Sequence, residues 1–570
     1  MSALALAGLL HTGAVAALTL TGFDVRGIAD PELSENVRAR LGALRAEVGV
    51  SITEARLSYL LRNAPEEVRK ALEPFGYYEP QVEVTPQRSG ETATIVIDVT
   101  PGPAIKVERH QIVLEGEGAD DSVLQRRRDR FLPRPGDVLR HPLYEQSKSR
   151  LQRSLAERGY FDAALMTHRV AVTRAAQSAT IELKVDTGRR YRFGATTYEG
   201  SHIDPDVLER VVPYEAGDVF HQARLVALHE RLVELDYFGY VDIQPQPEEG
   251  GEAIAPVTVS LTPAKRTIYT AGIGYGTDTG PSLRAGVERR YVNARGHKLG
   301  AEVEIGGRRS SFAVLYRMPA LHWLPGWWSI GANARDEKFG DFDSRIFEVV
   351  GARSVDWEGF RFSGELHVRQ ESFDDVDVFL VYPEIRAGRT TSDDALYPNR
   401  GYRVSVGLAA GSGALGSDLD FARLYGSASF VHRLSPSNRL LLRGEVGHLE
   451  TDAFARMPPS LRFFAGGDRS IRGYGYHELG ERDQDGRTIG GRNLVVASVE
   501  IEHMFNPQWG IAGFVDAGNA FNGSDLDPRV GVGVGARWRS PVGPVRVDLG
   551  VGLDDPDSAV QLHLNIGPDL

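Results

Sequence analysis

Arg472 and Asp516 are the two residues whose types and surroundings most clearly predict a specific interaction. Arg472 is followed by Gly473 and Tyr474 in a glycine-rich polar run, and Asp516 lies 44 residues further on in an alternating stretch. A guanidinium shielded from bulk water needs a carboxylate partner, and a bidentate pair is the strongest simple arrangement. Glycine at position 473 would let the backbone approach a neighbouring strand closely. The alternative is that Arg472 is only a solvated charge.

Motifs typical of enzymes and of metal sites are absent from the sequence. The chain has no cysteine, no G-x-S-x-G and no H-E-x-x-H, since the His477-Glu478 pair lacks the second histidine. The acidic run 554–557 is more typical of a turn than of a calcium site. A net charge of −12 argues against nucleic-acid binding, which needs a basic surface. We therefore predict no catalytic residue, no metal site, no cofactor and no nucleic-acid partner.

The C-terminal part of the sequence is rich in glycine and contains all six tryptophans. Several of its stretches alternate between apolar and polar residues, which places one set of side chains on each face of a β-strand. The clearest are 299–305, 360–368, 529–538, 545–553 and 560–566. No recurrent helical pattern interrupts the region, and strands of about 9–11 residues suit a bilayer. We predict a transmembrane β-barrel with a wet, charged interior rather than a soluble sandwich.

The first and last predicted strands of this barrel each carry three residues of interest at alternate positions. They are Gly272, Gly274 and Gly276 in the first strand, and Leu562, Leu564 and Ile566 in the last. Glycine weakens the interior of a strand, so we predict that these two strands meet at a seam that can open. Alternatively, the glycines merely relieve crowding inside a tilted barrel.

The N-terminal part of the sequence repeats itself. Tyr77, Tyr160 and Tyr237 occupy equivalent positions, spaced by 83 and 77 residues. Each unit has the pattern of a strand, two helices and two further strands, and the tyrosine is interpreted as a core residue at the end of the second helix. A β-α-α-β-β module of this size resembles the polypeptide-transport-associated (POTRA) domain, which binds partners by adding a strand to a sheet edge.

The predicted organisation has five parts. The apolar start, 1–16, resembles the remnant of a signal peptide, although the usual basic residues are missing and a buried first strand is the alternative. The other parts are a first POTRA module at 17–104, a second at 105–188, a third at 189–264 and the transmembrane β-barrel at 265–570. The predicted fold class is therefore α+β repeats followed by an all-β barrel.

Three motifs in the C-terminal part resemble those of outer-membrane assembly and secretion barrels, the superfamily of BamA, TamA and FhaC. The run 462–476 resembles a loop that folds into the barrel, and 513–521 resembles a wall strand with an acidic residue in the lumen. The resemblance implies sixteen antiparallel strands and a lock between loop and wall. The residues of that lock are Arg472, Gly473, Tyr474 and Asp516.

The third motif, 535–546, is similar to the penultimate hairpin of the same superfamily. Its motif residues are Arg537, Pro541, Gly543 and Arg546. Three POTRA modules, together with the ending at 566–570, favour the TamA branch over branches with more or fewer modules.

The TamA branch implies an insertase of the cell outer membrane with its POTRA modules in the periplasm. It would assemble autotransporters and other outer-membrane proteins through the lateral seam. The implied partners are a TamB-like protein anchored in the inner membrane and reached through the POTRA modules, the substrate outer-membrane proteins, and outer-membrane lipid.

Three other functions are compatible with parts of the pattern. The nearest is a two-partner secretion transporter of the FhaC type. A passive porin and a barrel enzyme belong to different functional classes, and neither accounts for three POTRA-like repeats.

Overall fold

The computed structural model describes residues 17–248, 251–320, 324–541, 543–554 and 560–566. The predicted signal segment, 1–16, lies outside the described residues. Residues up to 197 belong to one compact unit and 259–570 to another, and the third N-terminal module contributes segments to both. Among the helices described, none is both long and apolar enough to cross a bilayer.

The N-terminal part contains three small α/β modules, each built on its own sheet. The first contains β1 (Ala17–Arg26), α1 (Pro31–Arg40), α2 (Gly42–Ala46), β2 (Ser51–Thr53), α3 (Glu54–Leu72), β3 (Gln81–Ser89) and β4 (Thr92–Thr100). The second contains β5 (Lys106–Glu115), α4 (Ser122–Asp129), α5 (His141–Glu157), β6 (Ala164–Thr173) and β7 (Ser178–Asp186). The third contains β8 (Arg192–Glu199), α6 (Pro205–Glu209), α7 (Gln222–Glu234), β9 (Phe238–Pro245) and β10 (Ile254–Pro263).

In the first two modules, the strand that begins the module pairs in parallel with the strand that ends it. β1 runs beside β4, and β5 runs beside β7. Parallel neighbours need a crossover connection, and here the helices provide it. The strand at the centre of the first sheet, β4, has a fully buried face that includes Ile95 and Ile97. The predicted POTRA-like architecture is confirmed, with the short strand β2 added in the first module.

Sixteen antiparallel strands form the C-terminal sheet, and each pairs with the next along the chain, as predicted. The first eight are β11 (Thr267–Gly276), β12 (Gly280–Arg289), β13 (Lys298–Gly306), β14 (Arg309–Ala320), β15 (Gly326–Phe339), β16 (Phe342–Trp357), β17 (Phe360–Phe373) and β18 (Val376–Ser392). The other eight are β19 (Arg400–Gly411), β20 (Phe421–Ser435), β21 (Asn438–Glu450), β22 (Asn493–Met504), β23 (Trp509–Phe521), β24 (Arg529–Ser540), β25 (Gly543–Gly552) and β26 (Gln561–Ile566).

The middle strands are longer than the sequence predicted. β16 has 16 residues and β18 has 17, against an expectation of about 9–11 for a bilayer crossing. Ladder hydrogen bonds do not have to stop at the membrane surface, so long hairpins can continue into water. The expected strand length was wrong for this part of the barrel.

The wall has its apolar side chains outside and its charged side chains inside. On β22, Val499 and Ile501 are 48% and 52% exposed, whereas Glu500 and Glu502 are 6% and 0% exposed. An outward apolar face is what a lipid environment requires of a barrel. Tryptophans lie at strand ends, with Trp357 ending β16 and Trp509 beginning β23.

The connection between β21 and β22, residues 451–492, packs inside the barrel and is called the inward loop below. Its Phe463 and Ile471 are buried in one cluster with the wall residues Tyr382 and Phe421. The predicted wet interior is therefore wrong for this part of the lumen, which has an apolar core of its own.

The two ends of the barrel sheet meet without the pairing seen elsewhere. Within the described residues, no backbone ladder joins β11 to β26, although every consecutive pair from β11 to β26 is laddered. A hydrogen bond of 3.1 Å from the Leu564 N–H to Thr277 Oγ1 links β26 to the turn after β11.

Candidate functional site in the barrel lumen

The inward loop carries Arg472 to Asp516 on the wall strand β23. Arg472 Nε donates to Asp516 Oδ2 at 2.8 Å, and Arg472 Nη2 donates to Asp516 Oδ1 at 3.0 Å. The backbone N–H of Arg472 also donates to Asp516 Oδ2, at 3.1 Å. Arg472 is 3% exposed and Asp516 is fully buried. The structure thus brings together the two residues that the sequence suggested as partners, in bidentate geometry.

Gly473 brings the loop backbone against β25. A Cβ atom at this position would lie 2.5 Å from the Val551 carbonyl carbon and 2.7 Å from the Gly552 nitrogen. Its φ of +95° lies in the left-handed region, which L side chains rarely adopt. Both requirements, space and conformation, restrict this position to glycine.

Arg472 has two carboxylate partners besides Asp516. Its Nη1 donates to Glu500 Oε2 at 2.6 Å and to Asp548 Oδ2 at 3.0 Å. Its guanidinium carbon lies 3.5 Å from the centre of the Phe514 ring, so the cation also stacks on an aromatic face. The site is therefore a cage around one cation and more than the single pair that the sequence predicted.

A second guanidinium, from Arg537 of the hairpin motif, extends the network. Its Nη2 donates to Glu500 Oε1 at 2.6 Å, its Nε donates to Glu502 Oε1 at 2.9 Å, and its Nη1 donates to Asp548. Arg439 on β21 pairs with Glu502 in turn. The network therefore crosses five consecutive strands, β21 to β25, on their inward faces.

The charges of this network nearly balance. Its cations are Arg439, Arg472 and Arg537, and its anions are Glu500, Glu502, Asp516 and Asp548. Buried charges are tolerated when they are paired and hydrogen-bonded, and each of these residues has at least one charged partner. The arrangement binds a loop to a wall, and within the described residues it holds no acid, base or nucleophile free for chemistry.

The other predicted lock and hairpin residues lie around this network. Tyr474 is buried, and its hydroxyl donates to the Val530 carbonyl oxygen at 3.4 Å. Arg546 on β25 lines the same lumen cavity as Arg472. Pro541 lies in the turn before β25, and Gly543 begins that strand with a φ of +132°. Of the four hairpin-motif residues, Arg537 takes part in the charge network. Arg546 lines the cavity beside it, and Pro541 and Gly543 lie at the turn between the two strands of the hairpin.

The predicted seam residues lie on β11 and β26, the two strands that have no ladder to each other within the described part of the chain. The structure brings only some of these residues close to the opposite strand. A Cβ atom at Gly276 would lie 3.7 Å from the Leu564 carbonyl oxygen, whereas one at Gly272 would have no neighbour within 4 Å. Leu562 and Ile566 are exposed on the outer face. Gly274 lies against Ser282 of the next strand instead of β26.

Sequence reasoning missed Glu500, Glu502 and Asp548 as partners. A signal for the first two was present, because charged residues alternate with Val499 and Ile501 in an otherwise apolar strand. Asp548 alternates with apolar residues in the same way. Charged residues at the inward positions of predicted wall strands would have identified all three.

Two clusters in the described residues have carboxylate and imidazole atoms within 4.8 Å of one another, as a metal site requires. They are Glu365, His367 and Glu384 on the wall, and Asp278, Asp468 and His563 near the seam. In the first cluster Arg386 already pairs with both glutamates. In the second, both imidazole nitrogens have hydrogen-bond partners. The absence of a metal site stays a prediction.

Comparison with known families gives matches at both ends of the chain. Residues 383–569 match the model of the Omp85 superfamily domain. Residues 22–101 match a model described as POTRA domain TamA domain 1, and residues 191–264 match a POTRA model described as surface antigen variable number repeat. The C-terminal match is thus to an Omp85 superfamily domain, and the two N-terminal matches are to POTRA domains.

Similar proteins carry the name outer membrane protein assembly factor BamA. The one from Nitratidesulfovibrio vulgaris is 27% identical over 379 residues, which cover 61% of this chain and 47% of that protein. The one from Neorickettsia risticii is 22% identical over 515 residues, which cover 84% of this chain and 68% of that protein. The chain spans about half the length of the first of these relatives.

A solved structure supports the fold. The crystal structure of BamA from Haemophilus ducreyi lacking POTRA domains 1–3 aligns with a TM-score of 0.70 at 15% identity, over 81% of this chain and 99% of that one. Family and fold together place the protein in the outer membrane, with its POTRA modules in the periplasm.

Proposed function

We propose that this chain, an Omp85 superfamily protein of the outer membrane, is an insertase of the TamA type. It assembles autotransporters and other outer-membrane proteins by admitting their strands at the seam between β11 and β26. The observation that carries the proposal is the missing ladder between these two strands within the described residues. An unpaired strand edge exposes backbone N–H and C=O groups, which are a template for an incoming strand.

The anchored loop supports the same function. When a barrel opens at one seam, its other strands must keep their arrangement without closure at that seam. The charge network ties the inward loop to β22, β23 and β25, which lie close to one side of the seam. We infer that the loop braces this side of the wall while the other side moves.

The POTRA modules provide the surface for a second protein. We propose a TamB-like partner anchored in the inner membrane, and the match of residues 22–101 to a TamA-type POTRA model supports this choice. Substrate outer-membrane proteins and outer-membrane lipid are the other proposed partners. We also propose that the three POTRA modules end at residues 104, 188 and 264. Co-purification from membranes, with and without the first module, tests the partner.

A disulfide across the seam tests the function. Cysteines at Gly276 and Asn565 would both lie on the lumen side of the seam, since these residues line one lumen cavity and a Cβ atom at Gly276 lies 3.7 Å from the Leu564 carbonyl oxygen. The native chain has no cysteine to compete. In proteoliposomes supplied with an unfolded autotransporter barrel, the oxidised variant should lose assembly activity and regain it on reduction. Full activity in the oxidised form would overturn insertion through the seam.

A second cysteine pair provides the control. Leu283 and Ile305 are register partners on β12 and β13, and both face outward. A disulfide there leaves the seam free, so activity should not change. The same proteoliposomes separate the alternatives: a FhaC-type transporter would secrete a dedicated partner, a porin would conduct ions without assembly, and a barrel enzyme would turn over a substrate. The prediction that the protein is not an enzyme is tested in the same way.

A further inference from the structure

Asp468 of the inward loop lies between the two ends of the barrel sheet. Thr277 Oγ1, in the turn after β11, donates to Asp468 Oδ1 at 2.9 Å. His563 Nδ1, on β26, lies 2.7 Å from the same Asp468 oxygen. The Asp468 N–H donates to Asp278 Oδ2 at 2.7 Å. One loop residue therefore contacts both strand ends that lack a mutual ladder.

The imidazole of His563 has a defined orientation. The Gly473 N–H donates to His563 Nε2 at 2.9 Å, so Nε2 acts as the acceptor and Nδ1 carries the proton that it donates to Asp468. His563 is 3% exposed. Because Gly473 is adjacent to Arg472, the same ring connects the seam to the charge network.

Thr277 completes the connection. Its hydroxyl donates to Asp468 and accepts the Leu564 N–H at 3.1 Å. The path from β11 to β26 therefore runs through side-chain hydrogen bonds at one point, where the rest of the wall has backbone ladders. A few side chains can be released and remade far more easily than a ladder of backbone bonds.

We infer that Asp468, Thr277 and His563 form a clasp that holds the seam closed, and that the inward loop controls seam opening through it. This inference rests on the proposed function and names its regulation. The three are positioning residues: they set the distance between β11 and β26 and do not contact the substrate in the closed state. Withdrawal of Asp468 by a small movement of the inward loop would release both strand ends together.

Thr277→Val provides the sharpest test, because it removes the hydroxyl and keeps the shape of the side chain. Its matched control is Thr279→Val in the same turn, whose hydroxyl donates to the Gly280 carbonyl oxygen and, in the part of the chain that the structure describes, makes no hydrogen bond to Asp468 or to β26. Asp468→Ala and His563→Ala are the second and third variants. Each is made in the full-length protein in lipid bilayers, without substrate.

Spin labels on cysteines at Leu283 of β12 and Leu549 of β25, both outward-facing, report the seam width by pulsed electron paramagnetic resonance. Loss of the two hydrogen bonds of the Thr277 hydroxyl should raise the ratio of long to short distances by at least about tenfold in Thr277→Val, and by more in Asp468→Ala and His563→Ala. Thr279→Val should match the unmodified protein. If Thr277→Val also matches it, the clasp does not exist.

A second label pair separates the clasp from general damage. Labels at Asp485 on the inward loop and Asp343 on β16, both exposed, report whether the loop stays in place. Their distance should not change in Thr277→Val, since Arg472 still anchors the loop. A change in both distances would mean that the substitution disturbs the whole lumen, and the inference would fail. The distance measurements use no substrate. Their result therefore does not depend on whether the protein proves active in the assembly assay.

Discussion

The central strand of the first POTRA module and the wall strands around Arg472 bury different kinds of side chain. In the first module the fully buried wall positions are apolar, such as Ile95 and Ile97, whereas in the barrel Glu502 and Asp516 are fully buried. The modules obtain their stability from apolar surface removed from water. The barrel presents its apolar surface to lipid instead. Its interior positions are therefore available for a charge network that fixes one loop to the wall.

Both regions nevertheless contain a buried aspartate paired with an arginine, and the two pairs differ in their surroundings. In the second module, Arg158 Nε donates to Asp121 at 2.6 Å, and Asp121 also caps α4 by accepting the Val123 N–H. Asp121 therefore accepts a hydrogen bond from one arginine, and it stabilises a helix within its own module. Asp516 instead belongs to a network shared by several strands.

The largest expected effect is that of Arg472→Ala. The substitution leaves Asp516, Glu500 and Asp548 without that cation, and breaking a buried pair typically costs about 3–5 kcal/mol. The wall ladders do not depend on Arg472, so the barrel should form while the inward loop becomes accessible to protease and assembly activity falls. Protease accessibility in lipid bilayers measures the first effect directly.

Arg487→Ala is the matched control on the same loop. Arg487 pairs with Asp483 and Asp374 but is well exposed, and exposed pairs contribute little. Loop accessibility should stay as in the unmodified protein. Equal effects of the two substitutions would contradict an anchoring role specific to Arg472.

A charge swap sharpens the same point. Arg472→Asp with Asp516→Arg should recover only part of the lost activity, because Glu500 and Asp548 would then face a carboxylate on the loop. A double-mutant cycle of Arg472→Ala and Asp516→Ala should still show coupling. Purely additive effects on activity would show that the two residues act independently.

The second largest effect compares one kind of substitution in the two regions. Val499→Arg on the outer face of β22 should destabilise the barrel by about 2–4 kcal/mol, because the charge enters the hydrocarbon region. Met166→Arg on β6, at a residue that is 62% exposed, should change module stability by less than about 0.5 kcal/mol. Denaturant titration of each variant measures the change in its free energy of unfolding. Similar changes in the two variants would contradict an apolar outer face of the barrel wall.

The third effect concerns glycine. Gly473→Ala and Gly136→Ala both place a side chain at a left-handed position, with φ of +95° and +91°. Only Gly473 also meets backbone atoms of β25, whereas a Cβ atom at Gly136 has nothing within 4 Å. Left-handed strain alone costs about 1–3 kcal/mol. Gly473→Ala should in addition displace the inward loop, which protease accessibility detects, and Gly136→Ala should affect only module stability.

The smallest effect is a pH dependence in the second module. Burial opposes ionisation of Asp121, but the hydrogen bonds from Arg158 and the Val123 N–H outweigh it and lower the pKa of Asp121 below its usual 3.8. A lowered folded-state pKa gives stability that is present above that value and is lost as the pH falls below it. Asp121→Asn keeps the helix cap, so at neutral pH it should cost about 1 kcal/mol and reduce the acid sensitivity of unfolding. An unchanged acid transition would exclude Asp121 as its source.

The sequence predicted the barrel and its faces because period-two alternation is a local property of each strand. It also indicated Arg472 and Asp516, since each lies in a distinctive motif. The remaining cage residues depend on which strands are neighbours and in what register. β22 and β23 pair Ser498 with Asp516 and Glu500 with Phe514, and no local pattern specifies that alignment.

The clasp could not be predicted for a related reason. Asp468 reaches Thr277 and His563 only because the inward loop follows a particular path through the lumen. That path depends on packing of residues such as Phe463 and Ile471 against the wall. A long loop without periodicity carries little information about its own course. The lengths of β16 and β18 were underestimated because the expectation considered only the bilayer.

All six tryptophans lie in the C-terminal part, and those at 357 and 509 mark strand ends of the barrel. The POTRA modules contain tyrosine and phenylalanine but no tryptophan. Light of a wavelength that only tryptophan absorbs therefore excites fluorescence from the barrel and none from the modules. In one intact molecule, indole emission would follow insertion of the barrel into lipid, while far-ultraviolet dichroism at helix wavelengths would follow folding of the modules. The uneven distribution of tryptophan and of α-helix between the two regions gives the protein two optical reporters without any label.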